Sequence, residues 1–366
     1  MTVGFYAPLP PARTGVADYA AALLAALRQR GPIEIAPDAC DSALYHIGNN
    51  RQHAEIYRRA LERPGVVVLH DTVLHHFLLG ELDQPRYVEE FIYNYGAWNR
   101  GLAEDLWRHR AASGSEPRYF SYPMLKRIAA TARAVVVHNP AAGRIVRAHA
   151  PQTPVIEIPH LFAPPEPGAP VEAAQYRGRL GFARDEFVFG VFGYLRETKR
   201  LIPILEAFAA MRAENERARL LVAGSFVSPE LERAVALWLA QPGVVRLPHL
   251  STRDFWLTAS AVDACINLRY PSAGETSGIG IRLMGIGKPV LLTDCEENGR
   301  FPEDVCIRIP PGLAERESLR RYMLLLPSIQ GFSAEIGGRA ADHIRTQHSL
   351  ERTAQLYWNT LCEHRC

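Results

Sequence analysis

The sequence predicts an α/β protein built from two Rossmann-like, doubly wound parallel-sheet domains. Three observations carry this. Short apolar, β-branched runs alternate with helix-period stretches. Those runs are apolar throughout, as strands covered on both faces are. A proline-rich break then interrupts the alternation, which restarts beyond it. Residues 3–6 read as the first strand, followed by a proline-rich turn and a helix over 16–27. The rhythm continues with a strand at 43–47 and a helix from Arg51, a strand at 66–69 and a helix near Leu74. A strand at 134–137 with a helix from Ala141 follows, and then a strand at 155–158. Between them, 84–127 is helical and partly basic, with Arg108, Arg110, Arg118, Lys126 and Arg127. It reads as a solvated face, with contact to an anionic membrane surface or acceptor as the alternative.

Residues 163–170 hold four prolines and a glycine, a composition of a linker rather than a helix or sheet interior. Beyond it come a strand at 187–192, a helix over 201–211, a strand at 220–223, a helix over 229–240, and strands at 244–247 and 264–268. A helix over 277–287 and a strand at 289–293 follow. The domains are therefore placed at 1–162 and 171–347, with a helix at about 348–366 packing back on the first. The loops at the carboxyl ends of such strands are expected to face a cleft, where open α/β sheets bind ligands.

Composition narrows the function. The 366 residues carry 41 basic and 39 acidic side chains, a balance that argues against a nucleic-acid partner. Six scattered cysteines form no Cys-x-x-Cys pair, which suggests neither a disulfide framework nor a zinc knuckle and fits a reducing cytoplasm. The first residues lack a signal-peptide pattern, and no uncharged run approaches the ~18 residues of a membrane span. Only three of the basic residues are lysines, Lys126, Lys199 and Lys288, so a lysine here is an informative letter.

Three segments carry candidate chemistry. Residues 8–15 join the first strand to the first helix, so Gly15 stands before a helix start whose bare amides suit an anion; a turn glycine is the plainer reading. Residues 191–200 follow the first strand of the second domain, and there Arg196 and Lys199 suit a diphosphate, against a solvated basic loop. Residues 267–290 run from a strand end through Glu275, Thr276, Ser277 and Gly278 into a helix. Those hydroxyls and amides suit phosphate and the carboxylate suits sugar hydroxyls; an N-cap with a packing glycine is the alternative. His70, Asp71, His75 and His76 invite a metal reading, but the adjacent histidines point about 100° apart on a helix and no metal is expected. His70 ends a strand, as His46, Asn49, His138 and His160 nearly do, so these residues are candidates to line the ligand end of the first sheet. The chain has no Gly-x-Gly-x-x-Gly, Gly-x-Ser-x-Gly or Walker loop, which disfavours a nicotinamide dehydrogenase, a serine hydrolase and a P-loop NTPase. No lysine has a recognisable pyridoxal-phosphate context.

Taken in order, segments 8–19, 45–50, 66–71 with 74–76, 158–160, 192–199 and 271–290 resemble a GT-B-fold glycosyltransferase of the family 4 type, in a bacterial branch opening Pro-Leu-Pro-Pro-x-x-Thr-Gly. The resemblance covers most of 1–362. It implies transfer of a sugar from a nucleoside-diphosphate-sugar to a glycan, lipid-linked or other acceptor, with retention and with neither cofactor nor metal. The implied setting is the cytoplasm, including its membrane face. Lys199 matches the lysine that holds the diphosphate, and Gly15 and Gly193 fall in the donor-side glycine loops. Glu275 with Thr276, Ser277 and Gly278 resembles the loop that contacts the transferred sugar and phosphate. His70 resembles the strand-end histidine facing the sugar, and Asn49, Asp71 and His138 fall on the acceptor side. Two residues depart from the pattern. Tyr194 stands where the family's phosphate arginine falls, so Arg196 is read as carrying that charge. Arg282 stands where the second glutamate falls, and an arginine cannot accept from a ribose diol, which points it toward phosphate or an acidic group. The other readings left open are a catalytically degenerate GT-B binding or scaffold protein and a GT-B-fold nucleotide-sugar epimerase. The sequence leaves the oligomeric state open.

Overall fold

A computed structural model describes residues 1–165 and 169–365. These form two compact units. The first comprises Met1–Leu161, Pro271–Thr276 and the chain from His348 onward; the second comprises Phe162–Tyr270 and Ser277–Gln347.

The first unit holds β1 (Val3–Tyr6), α1 (Gly15–Arg28), β2 (Ile33–Ile35), β3 (Ser42–Ile47), α2 (Ala54–Glu62), β4 (Val66–Leu69), α3 (His75–Glu81) and α4 (Gln84–Tyr95). It continues with α5 (Arg100–Arg108), α6 (Lys126–Thr131), β5 (Ala134–Val137), α7 (Pro140–His149) and β6 (Val155–Glu157). Its parallel sheet runs in the order β2-β1-β3-β4-β5-β6. All residues of β1, β3, β4 and β5 are buried, and β4 and β5 accordingly read as unbroken apolar runs.

The second unit follows with α8 (Ala169–Arg179), β7 (Phe187–Phe192), α9 (Leu201–Arg212), β8 (Ala218–Ala223), α10 (Pro229–Leu239), β9 (Val244–Leu247), α11 (Thr252–Ala261), β10 (Ala264–Asn267), α12 (Gly278–Gly285), β11 (Val290–Thr293), β12 (Ile307–Ile309), α13 (Glu315–Ser328) and α14 (Phe332–Gln347). Its parallel sheet runs β12-β11-β10-β7-β8-β9. The last helix, α15 (Leu350–Glu363), belongs to the first unit, where it packs on α1 and the Tyr357 hydroxyl meets that of Tyr19 at 2.9 Å. No helix of the described residues is long and apolar enough to cross a membrane.

Several boundaries differ from those read in the sequence. Gly15 is the first residue of α1 and Thr14 is its N-cap, accepting from Val16 N at 3.3 Å through a hydroxyl that glycine lacks. Residues 166–168 of the expected linker lie outside the described residues, as does Cys366; its last two residues open α8 instead, since proline is tolerated in a first helical turn. Strands β2 and β12, three residues each with Glu34 and Arg308 at their centres, show no apolar run. The basic residues of 84–127 are mostly engaged. Arg118 pairs with Asp105 and Glu116, Arg108 with Asp105, and Arg127 with Glu90, while Lys126 lies 5.1 Å from the Tyr93 ring centre and Arg110 lies 4.4 Å from that of Trp107.

Candidate functional site

In the second unit, β7 and β10 are neighbours from which the sheet order runs outward in opposite directions, the switch point where open α/β sheets bind ligands. The loop leaving β7 turns at Gly193, whose φ is +100°, and Gly193 N donates to Ala223 O at 3.0 Å. A short 3-10 turn, Glu197–Lys199, leads to Arg200, which takes the left-handed conformation at φ +58° and ψ +34°. Arg200 Nε lies 3.0 and 2.9 Å from the two carboxylate oxygens of Glu315, a side chain only 2% exposed, so the turn is anchored on α13.

That turn sends Lys199 inward. The residue is 4% exposed, and its Nζ donates to Phe192 O at 2.8 Å and Asn267 Oδ1 at 3.3 Å. Carbonyl oxygens hold an ammonium without cancelling its charge. Asn267, the last residue of β10, donates in turn through Nδ2 to Ser277 Oγ at 2.7 Å, and Ser277 is the N-cap of α12. Buried cation, strand-end amide and helix start thus form one hydrogen-bonded chain, and Gly278 supplies the first helical amide. Arg196 is exposed at the entrance of the 3-10 turn. Arg282 sits in the last turn of α12, with its guanidinium 5.4 Å from the Phe255 ring centre. The Tyr194 ring centre is 6.1 Å from that of His249.

In the first unit the carboxyl ends of β3, β4 and β5 carry a cluster of imidazoles around Tyr19. The Tyr19 ring centre lies 4.9 Å from His70, 5.3 Å from His138 and 4.7 Å from His160. Tyr19 is one turn beyond Gly15, so α1 links the glycine to this cluster. Burial holds His46, His70 and His138 neutral, lowering His46 to about 3 and His138 to about 4, and carrying His70 well below its ordinary value with help from its imidazole neighbours.

The hydrogen bonds set the tautomers. His138 Nδ1 faces Ile158 O at 3.0 Å and must donate. His46 Nδ1 and His70 Nε2 are 2.9 Å apart, while His46 Nε2 is buried and lacks a partner among the described residues. A buried lone pair left unpaired costs less than a buried N–H, so His46 carries its proton on Nδ1 and donates it to His70. The proton of His70 is thereby left on Nδ1.

Beside His70 lies the segment Pro271–Thr276. Thr72 N and Val73 N donate to Ala273 O at 2.8 and 3.0 Å, and Asn139 Nδ2 donates to Gly274 O at 3.0 Å and Thr276 Oγ1 at 3.1 Å. Asn139 Oδ1 also caps α7, accepting from Ala142 N. The Glu275 carboxylate accepts from Ala273 N at 2.7 Å and Ser272 Oγ at 3.3 Å, which folds it onto its own loop. Asp71 accepts from Asn49 N at 2.8 Å, and Asn49 Oδ1 accepts from Phe77 N, so both carry loop architecture as well.

The first unit thus holds Gly15, Asn49, His70, Asp71, His138, Glu275 and Thr276; the second ties Lys199 through Asn267 to Ser277, with Gly193 beside the lysine and Gly278 next in the helix, and also holds Arg196 and Arg282. His75 is tied to Tyr119 O and the Tyr87 hydroxyl, and His76 to Ser113 O. Among the described residues no group of three or more His, Cys, Asp or Glu side chains is placed to hold a metal. A 250 Å³ cavity of the first unit, lined by Tyr6, Cys40, Tyr45, Arg63 and Arg133, contains none of the candidates. Arg63 and Arg133 precede β4 and β5, which puts that cavity toward the opposite ends of the strands. Sequence reasoning missed Asn139, whose Asn-Pro cap was a readable signal, and Glu315, which offered none.

No protein-family model and no curated protein matches the chain. Solved structures do. Anabaena HepE, in a complex with UDP and glucose, aligns over 99% of this chain and 100% of its own, with a TM-score of 0.69 at 15% identity. The chain has the GT-B fold. Sucrose-phosphate synthase from Thermosynechococcus elongatus resembles this GT-B chain with a TM-score of 0.66 at 14% identity, covering 99% of each. WaaG, a glycosyltransferase involved in lipopolysaccharide biosynthesis, does so with a TM-score of 0.65 at 14% identity, over 98% of this GT-B chain and 99% of its own.

Proposed function

We propose that this chain is a glycosyltransferase that moves a sugar from a nucleoside diphosphate to an acceptor, with retention at the anomeric carbon and without a metal. The bond between the anomeric carbon and the β-phosphate oxygen breaks, the acceptor oxygen bonds to that carbon and loses its proton, and the nucleoside diphosphate departs. The observation that carries the reading is the buried Lys199 ammonium at the β7–β10 switch point, tied through Asn267 to the start of α12. A cation and a helix N-terminus in one place suit a leaving group that gains negative charge. Lys199, with Arg196 at the rim, neutralises the diphosphate, and Ser277 and Gly278 bind its oxygens. Glu275 and Thr276 act on the transferred sugar. His70, its proton fixed on Nδ1, donates to a sugar hydroxyl, and Asn49, Asp71 and His138 hold the acceptor-side loops. The acceptor is a glycan, a lipid-linked molecule or another hydroxyl-bearing compound.

The test is incubation with a panel of nucleotide sugars and candidate acceptors, read by mass spectrometry for product. UDP-glucose comes first because HepE has been solved with it. Transfer to an acceptor supports the reading. Nucleotide binding without turnover across the panel supports instead a GT-B-shaped binding protein, the reading favoured by Arg282, which stacks near Phe255 where the family pattern has a hydrogen-bond acceptor. Conversion of the nucleotide sugar without any acceptor would point to an epimerase.

A further inference from the structure

We infer that Asn267 is a positioning residue for the anionic end of the ligand, because its amide fixes Lys199 and turns the Ser277 hydroxyl into an obligatory donor. This rests on the reading of Lys199 as the cation of a diphosphate site. Asn267 is 3% exposed and lies between the two groups, with Oδ1 3.3 Å from Lys199 Nζ and Nδ2 2.7 Å from Ser277 Oγ. The orientation of the amide follows from chemistry. An ammonium has only donors, so the oxygen must face Lys199 and the amino group must face Ser277.

The consequence falls on Ser277. Its Oγ accepts from Asn267 Nδ2 and also from the Gly280 backbone N–H at 3.2 Å. Both lone pairs are then used, and the hydroxyl proton has to be given away. Among the described residues no acceptor for that proton is found, although Ser277 is only 8% exposed. An ordinary N-cap serine leaves the direction of its proton open. Here the amide directs it toward a ligand that accepts, as a phosphate oxygen does. Lys199, Ser277 and the first amides of α12 then present donors alone, a pattern that selects an anion.

Asn267→Asp is the discriminating variant because it keeps the shape and reverses the chemistry. The new carboxylate would neutralise Lys199 and take the Ser277 proton for itself. The experiment is isothermal titration of the full-length protein with UDP, ADP and GDP, with inorganic pyrophosphate, and with uridine, adenosine and guanosine. The expected result for Asn267→Asp is a loss of about tenfold or more in affinity for pyrophosphate and for the bound nucleoside diphosphate, with nucleoside affinity unchanged. A purely structural defect would weaken nucleoside and diphosphate alike. If Asn267→Asp binds as the wild type does while Lys199→Ala has lost binding, Asn267 is not a positioning residue and the diphosphate site stands without it. If Lys199→Ala also binds normally, or the wild type binds none of the three nucleoside diphosphates, the reading of the site fails and this inference with it. Should Asn267→Asp not fold, Ser277→Ala decides. A selective loss for the phosphate-bearing ligands supports the inference, and unchanged affinity overturns it.

Discussion

Arg200 shows how one residue holds a functional neighbour. It is a non-glycine residue in the left-handed region, a conformation that costs free energy and persists only when the surroundings enforce it. What enforces it is the two-oxygen contact with the buried Glu315 carboxylate. Removing the arginine leaves that carboxylate buried and uncompensated. Arg200→Ala is expected to destabilise the second unit by roughly 3–5 kcal/mol and to release the turn bearing Lys199. Urea unfolding followed by circular dichroism measures this, and an unchanged midpoint would show that the pair does not hold the turn. At this scale the sequence was legible where a residue type was rare. Lys199 stood out because lysine occurs three times in the chain. Asn267 and Glu315 did not, because a single asparagine at a strand end, or a glutamate in a helix, looks the same whether it is buried in a network or exposed.

Among the elements, the ends of β7 and β8 approach so closely that only glycine fits at 224. A Cβ there would lie 1.8 Å from Gly193 O, and φ at this residue is +145°. The obstacle is backbone, so it yields only if the Gly193 loop moves. Gly224→Ala is expected to cost on the order of 1–3 kcal/mol and to weaken nucleotide binding through Gly193 and Lys199. Paired thermal melts with and without nucleotide give both effects, and a variant that melts and binds like wild type would show that the loop moves freely. Elements with a clean apolar run were readable from the chain: β4 at Val66–Leu69 and β7 at Phe187–Phe192 lie where the sequence placed them. The three-residue β2 and β12, each with a charged centre, carried no period to read. Pro271–Thr276 belongs to the first unit and Ser277 to the second, a change that occurs across one peptide bond and leaves no compositional trace.

Over the whole molecule, the two units differ in their buried titratable groups. The first unit holds His46 and His75 lowered to about 3, and His53 and His138 lowered to about 4, with burial the leading cause for each. In the unfolded chain a histidine titrates near 6.5. Between these values the unfolded state takes up protons that the folded state refuses, so the stability these histidines contribute is full above about pH 6.5 and is lost as pH falls toward 4 for His53 and His138 and toward 3 for His46 and His75. Each ring contributes roughly 1.4 kcal/mol per pH unit across that window. The first unit is therefore expected to open before the second on acidification. Hydrogen exchange at about pH 7.5 and about pH 5 reads this directly, with protection lost first in β3, β4 and β5. Equal loss in both units would contradict it. The two-sheet architecture was readable at this scale because each sheet is parallel and its central strands are buried on both faces. The histidine cluster was readable only as separate strand-end residues, since the packing of Tyr19 among them joins parts of the chain far apart in sequence.

The proposed transfer turns on a diphosphate held by Lys199 and the start of α12. A crystal structure of the protein with bound UDP, or with whichever nucleoside diphosphate binds tightest, tests it most directly. A phosphate oxygen is expected about 3 Å from Lys199 Nζ and another within hydrogen-bond distance of Ser277 Oγ. A diphosphate bound elsewhere, with Lys199 Nζ still on Phe192 O and Asn267 Oδ1 and out of reach of any phosphate, would contradict that placement.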